Sequence, residues 1–297
     1  IKARNLSTTV QTIHDLIPLE YVAHNEDPLM FSHRLLSCLA TRRLFVSQSS
    51  ADKFRNHIQI AHKTRANHAF EQTNENVIVQ SPSLQFPSWL TEDPESIADL
   101  KPVSYLLRSD ENSLNVKTKI SKSVKINLTP FRYFLFNSSV EARKNLLFLA
   151  KAYAESNLNE KGIKLCVTGK LKGDSYSMDL QDIVSHEPGI ILAGYVSESD
   201  KLDLYLNALS LLSPSLVEGF GIPVLDGACL GVTTVASDCE SHLEIQEMHD
   251  FENYVLCLET LDSREWAAAL QAVAGSNSSL CDQAAETRRL RIDRYCK

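Results

Sequence analysis

No stretch of this 297-residue chain approaches the roughly 20 consecutive apolar residues that a membrane-spanning helix needs, and its first residues, Ile1-Lys2-Ala3-Arg4-Asn5, do not form a secretion signal. Glycine is scarce, at 10 residues. The cysteines (Cys38, Cys166, Cys229, Cys239, Cys257, Cys281 and Cys296) are an odd number, 7, spread over the chain without a C-x-x-C pair. Collagen, a disulfide scaffold and a cysteine-clustered metal site are thereby excluded. Cys166 and Cys257 lie in apolar, strand-like runs, where a thiol acts as a small hydrophobe. Positive charge is not in excess either: 30 Lys+Arg stand against 37 Asp+Glu, for a net charge of -7. No overall basic field draws the chain to nucleic acid, so any anion must be met by a local site. What is present, 43% hydrophobic and 23% charged residues, is the make-up of a globular protein with length for about two domains. The expected location is the cytoplasm, with room for the chain to rest on the inner face of a membrane.

Short β-branched runs alternate with amphipathic stretches, the pattern of α/β units around a mostly parallel sheet. The expected strands are Thr9–Ile13, Leu44–Ser47, Val77–Gln80, Tyr133–Asn137, Lys164–Thr168, Ile190–Ala193, Leu209–Ser213, Thr233–Ser237 and Tyr254–Leu258. Helices are expected near 28–41, 49–60, 143–155, 177–185, 198–208, 223–230, 240–247, 263–274 and 280–295. Between Ser81 and Pro130 the rhythm breaks into five prolines and polar runs, the mark of a linker with an insertion. The expected division is a partial N-terminal lobe at 1–90, a linker at 91–130 and a second lobe at 131–297. The first lobe holds only two or three strands, so the chain is expected to begin partway through a domain.

The most informative segment is Ser213-Pro-Ser-Leu-Val-Glu218-Gly-Phe-Gly-Ile-Pro-Val-Leu-Asp226. A strand ends, a glycine-containing turn follows, and Pro223 stands where the first position of a helix is expected. Gly219 and Gly221 let the backbone approach a ligand, and free N–H groups around Ile222 and Val224 can meet an anion at the helix start. Carboxylates beside a phosphate would repel it, so Glu218 and Asp226 are matched to hydroxyls. A sugar nucleotide supplies both chemistries.

The run Pro214-Ser215-x-x-Glu218-Gly219-Phe220-Gly221-Ile222-Pro223-x-x-Asp226 resembles the signature of the retaining family-4 (group 1) glycosyltransferases of the GT-B fold. The family usually has a second Glu where this chain has Asp226, one methylene shorter. The resemblance implies that Glu218 faces the donor sugar and Asp226 the ribose, with Gly219, Phe220, Gly221, Ile222 and Val224 lining the donor. Glu141-Ala-Arg143-Lys144-Asn145 is similar to the family's Glu-x-Arg-Lys-Asn, which holds the donor diphosphate. Two adjacent cations at a helix start oppose the helix dipole unless an anion neutralises them. Some relatives carry a further Arg at the position of Ser138. Gly194-Tyr195-Val196 resembles the loop whose backbone reads the nucleotide base, and Gly169-Lys170 occupies the corresponding family turn. In Gln11-Thr12-Ile13-His14-Asp15 a histidine stands just past a strand end, where open α/β sheets put their ligands. The family carries a similar His-Asp facing its interlobe cleft, and a satisfied structural histidine is the alternative.

Phe45-Val-Ser47-Gln-Ser49-Ser50 reads as a strand and a capped helix of structural use. Glu244 matches a family glutamate but reads as a cap on its own helix, and His242 as a surface residue along with the scattered histidines.

The resemblance thus implies two Rossmann-like lobes with a cleft between them, the first incomplete. The implied reaction moves a hexose from a nucleoside diphosphate sugar to a hydroxyl acceptor, a glycan, lipid-linked sugar or polysaccharide precursor, with retention. Glu218 and His14 are the expected catalytic residues; no metal, no resident cofactor and no protein nucleophile are called for. Two rivals share these residues: a non-catalytic nucleotide-sugar-binding protein of polysaccharide assembly, and a sugar-nucleotide epimerase.

Overall fold

The structure, a computed structural model, describes residues 10–21, 24, 26–37, 42–64, 77–79, 128–248, 250–259 and 261–275, together with 283, 284, 286–288, 290 and 291. Most of the expected linker at 91–130, and the expected helix at 280–295 in part, lie outside the described residues.

Chain contacts divide the protein into two units. The first comprises 1–83 with 217–222 and 239–244; the second comprises 84–216, 223–238 and 245–297. The second unit is built on a six-stranded parallel sheet. Its strands are β4 (Tyr133–Asn137), β5 (Lys164–Thr168), β6 (Ile190–Gly194), β7 (Ser210–Ser213), β8 (Thr234–Ser237) and β9 (Val255–Leu258), ordered β6-β5-β4-β7-β8-β9. Tyr133-Phe-Leu-Phe is buried residue by residue, as a central parallel strand covered on both faces must be. The alternate side chains feed two cores. Phe134 and Phe136 meet helices α4 (Leu146–Glu155), α5 (Ser175–His186) and α9 (Ser263–Gly275) through Leu149, Leu180, Trp266 and Leu270. Tyr133 and Leu135 meet α6 (Glu198–Asn207) through Leu202, Tyr205 and Leu206. The order reverses between β4 and β7, so the chain leaves the carboxyl ends of these neighbours in opposite directions, the place where open α/β sheets bind their ligands.

The first unit contains the parallel strands β1 (Val10–Ile13), β2 (Arg42–Phe45) and β3 (Val77–Val79) in that order. Helices α1 (Ile17–Glu20), α2 (Pro28–Ser37) and α3 (Gln48–Thr64) accompany them. Their core joins Ile13, Leu16, Leu35, Phe45, Phe54 and Ile58, with the Arg43 guanidinium 5.0 Å over the Phe54 ring. The remaining helices are α7 (Ile222–Cys229) and α8 (Glu240–Gln246).

All nine expected strands form, within a residue or two of their expected ends. The four-residue α1, with Pro18 in its first turn, is too short to leave a periodic pattern. Pro223 is the second residue of α7 and not the first. The expected helix start at 143 is instead a 3-10 turn, Ala142–Lys144, followed by Asn145 at φ 56, the left-handed conformation that asparagine tolerates.

Candidate functional site

In the second unit the expected residues gather at the carboxyl ends of the strands. After β4 comes the turn that carries Arg143 and Lys144, and Lys144 is buried, 6% exposed, rather than solvated. Glu141 accepts from Arg143 Nε at 3.0 Å and from Lys172 Nζ at 2.5 Å, so one carboxylate holds two cations beside the sheet end. After β7 the chain is tied to this turn by the Leu216 N–H, which donates to the Arg143 carbonyl at 2.8 Å, and to the end of β8 by the Ser237 hydroxyl, which donates to the Ser215 carbonyl. Gly169, after β5, has φ +128, and a Cβ there would stand 1.9 Å from the Ser138 carbonyl oxygen, so only glycine lets the β4 and β5 turns lie so close. The Gly169 N–H in turn donates to the Gly194 carbonyl at 2.7 Å. Val196 is buried, Tyr195 and Lys170 are exposed, and Ser197 caps α6 through the Asp200 N–H at 3.1 Å. Val224 and Asp226 lie in the first turns of α7, the former buried and the latter half-buried.

His14, Glu218, Gly219, Phe220, Gly221 and Ile222 belong to the first unit. His14 is exposed immediately after β1, and Glu218 is buried, 8% exposed. Gly219 brings them together: a Cβ there would stand 2.5 Å from the His14 carbonyl oxygen and 2.7 Å from Asp15 Cβ. The missing side chain admits the β1 exit, whereas Gly221 uses its conformational freedom, at φ 101. The loop carbonyls are held by hydroxyls. Ser47 and Ser50 both donate to the Gly219 oxygen, at 2.6 and 3.1 Å, and Ser241 donates to that of Glu218 at 2.9 Å.

Comparison with known proteins adds what geometry alone does not. The sequence matches the family described as glycosyl transferases group 1 over residues 116–290, more than half of the chain. The chain belongs to this family. Over 115 residues it is 30% identical to the O-antigen chain mannosyltransferase B of Escherichia coli, a match covering 38% of this chain and 30% of that protein. The chain therefore spans under a third of this curated relative's length. Among solved structures it is similar to Anabaena HepE in complex with UDP and glucose, with TM-score 0.59 and 14% identity over 96% of this chain and 70% of that one. It is also similar to the sucrose-phosphate synthase of Thermosynechococcus elongatus, at TM-score 0.58 and 14% identity over 96% and 63%. These likenesses bear on the fold, which is of the GT-B kind.

Several residues of this group 1 glycosyltransferase chain play parts that its sequence did not announce. Glu244 does not cap its own helix: its two oxygens accept from the Gln48 and Ser49 amides, at 2.8 and 3.0 Å, at the start of α3. His242 is fully buried, not at the surface, because it stands on the inward side of the short helix α8 next to the buried Ser241. Lys172, which the sequence pattern did not single out, joins Arg143 on Glu141. Burial alone would raise the Glu141 carboxyl, but the Lys172 and Arg143 cations outweigh it and hold the group below its ordinary value. Lys53 lies between Glu20 and Glu240, at 2.8 and 3.0 Å. Its partial burial works to lower it, yet the two carboxylates prevail and keep the ammonium above its ordinary range. Glu240 is correspondingly depressed, chiefly by its bond to Lys53.

Proposed function

We propose that this chain contributes the donor site of a hexosyltransferase that moves a hexose from a nucleoside diphosphate sugar to a hydroxyl of a glycan or lipid-linked acceptor, with retention at the anomeric carbon. The observation that carries this reading is the switch point of the six-stranded sheet. The Arg143-Lys144 turn leaves β4, the Pro214-Ser215-Leu216 segment leaves β7, and the Leu216 amide ties one to the other. A switch point of this kind, with cations and helix-start amides, suits a diphosphate. Family membership and the similar proteins, a mannosyltransferase and a protein bound to UDP and glucose, support the same reading.

In the reaction so proposed, negative charge grows on the leaving diphosphate. Arg143, Lys144 and the backbone amides around Ile222 and Val224 stabilise it, in place of a metal ion. Glu218 orients the donor sugar through its hydroxyls, His14 faces sugar and acceptor, and Asp226 takes the ribose. The backbone around Val196 reads the base. The departing phosphate helps deprotonate the incoming hydroxyl, and no side chain serves as nucleophile.

Calorimetry tests this reading. The chain should bind a nucleoside diphosphate more tightly than the matching nucleoside, and Arg143→Ala/Lys144→Ala should weaken the diphosphate by about 100-fold while sparing the nucleoside, since charge-assisted bonds to phosphate are the strong ones. Equal affinity for the two ligands in the unmodified chain would overturn it. A panel of GDP-, UDP- and dTDP-hexoses then names the donor, and product analysis without acceptor separates transfer from epimerisation.

A further inference from the structure

If the Glu218-Gly219-Phe220 loop is to grip a glycosyl donor through its backbone, its peptide planes must be turned the right way, and the first unit contains a device that turns them. In a trans peptide the C=O and the following N–H point in opposite directions. The Gly219 carbonyl accepts two hydroxyls, from Ser47 and Ser50, which occupies both of its lone pairs. Phe220 N–H, on the same peptide, is therefore aimed away from α3. The Glu218 carbonyl accepts from Ser241, so Gly219 N–H is aimed away from α8 in the same fashion. Among the described residues no acceptor meets either N–H.

The three serines are themselves fixed. All are buried, at 0%, 2% and 1% exposure for Ser47, Ser50 and Ser241. The Ser47 hydroxyl accepts from the Ser50 N–H at 3.0 Å, which leaves its single proton for Gly219. Glu244 takes the first two amides of α3, those of Gln48 and Ser49, and so locks the helix start on which Ser47 and Ser50 stand. The two hydroxyl bonds to Gly219 are not needed to cap α3, which the Ser47 oxygen and the Glu244 carboxylate already do. Two hydroxyls on one carbonyl of a remote loop are surplus to a structural cap and specific to that loop's orientation.

We infer that Ser47, Ser50 and Ser241, with Glu244 behind the first two, are positioning residues of the donor loop: they hold its carbonyls on the protein side so that the Gly219 and Phe220 amides are presented to the anionic part of the donor. This rests on the nucleotide-sugar reading above. Pre-oriented amides need no reorganisation when the ligand arrives, so their loss costs affinity for the charged part of the ligand alone.

The test uses Ser50→Ala/Ser241→Ala, which leaves the Ser47 cap and Glu244 in place. Nucleoside diphosphate affinity should fall about tenfold, one lost charge-assisted bond, with nucleoside affinity unchanged. In amide-resolved NMR, Gly219 and Phe220 of the unmodified chain should show large downfield responses to the diphosphate, and these responses should collapse in the variant. A folded variant that keeps both the affinity and the two amide responses overturns the inference. If the unmodified chain fails to prefer diphosphate over nucleoside, the parent reading falls and takes the inference with it. Should the double variant not fold, Ser50→Ala alone is judged by the Phe220 response, on which the same two outcomes apply.

Discussion

Around the six-stranded sheet, position is secured by apolar burial on both faces, from Phe134 and Phe136 against Trp266 to Leu135 against Tyr205. Around the three-stranded sheet the described apolar core is smaller, and polar groups do more of the holding: three serine hydroxyls on two carbonyls secure the 217–222 loop, while a carboxylate on two amides and Lys53 between two glutamates fasten α3 to its neighbours. The difference is one of kind. Burial is non-directional and fixes where a strand lies, whereas hydrogen bonds are directional and fix which way a peptide plane faces. A sheet serves as scaffold by the first means. A loop that must present its backbone needs the second.

The largest effect is expected at Glu218, whose carboxylate we propose to face the donor sugar. Glu218→Ala should lower turnover by about 100-fold or more with nucleotide affinity little changed, read as kcat against the diphosphate Kd. Equal losses in both would move Glu218 to the diphosphate. Next in size is a contrast of stabilities. Trp266 is fully buried, edge-on to Phe148 at 5.8 Å, with its indole N–H on the Glu259 carbonyl at 3.0 Å. Trp266→Ala should destabilise by about 3–5 kcal/mol in urea denaturation followed by circular dichroism. Ser47→Ala, which removes a helix cap and one carbonyl partner, should cost only about 1–2 kcal/mol by the same measurement. Similar costs would erase the distinction between the two units.

A smaller effect is expected at Asp226. Asp226→Asn should weaken a ribonucleotide a fewfold, about 1 kcal/mol, more than it weakens the deoxy analogue. The smallest is the pH response of Glu141. Its folded carboxyl is depressed below the ordinary 4.5, so its contribution to stability is fully present above that value and is lost as pH falls through the depressed one. Glu141→Gln should therefore lose a little stability at neutral pH and show a flatter acid limb. An unchanged limb would detach Lys172 and Arg143 from it.

What could be read in the sequence follows the same division. β4 and β5 were legible to the residue because Tyr133-Phe-Leu-Phe and Leu165-Cys-Val are apolar runs flanked by polar residues, a pattern that burial writes locally. The segment proposed for the donor stands out because glycine, proline and carboxylate are set at fixed spacing within one loop. Polar tertiary contacts were not. Ser47 donates to a carbonyl 172 residues away and Glu244 caps a helix 196 residues back, and nothing in the local pattern of either residue points to so distant a partner. Lys144 and His242 look like surface residues by type; only the packing around a 3-10 turn and a two-turn helix buries them.

Gly219 meets the His14 carbonyl, not its imidazole, and this sets how freely the two positions can drift. Every amino acid carries the same carbonyl, so position 14 can sample many side chains without moving the loop, and with them many ways of addressing a ligand. Position 219 has no such latitude, because even a methyl group would collide with main chain. Saturation libraries sorted for nucleotide binding should return a broad spectrum at one site and a single residue at the other: a variable reader hinged on an invariant bearing, through which such a fold can change what it recognises while keeping how it holds it.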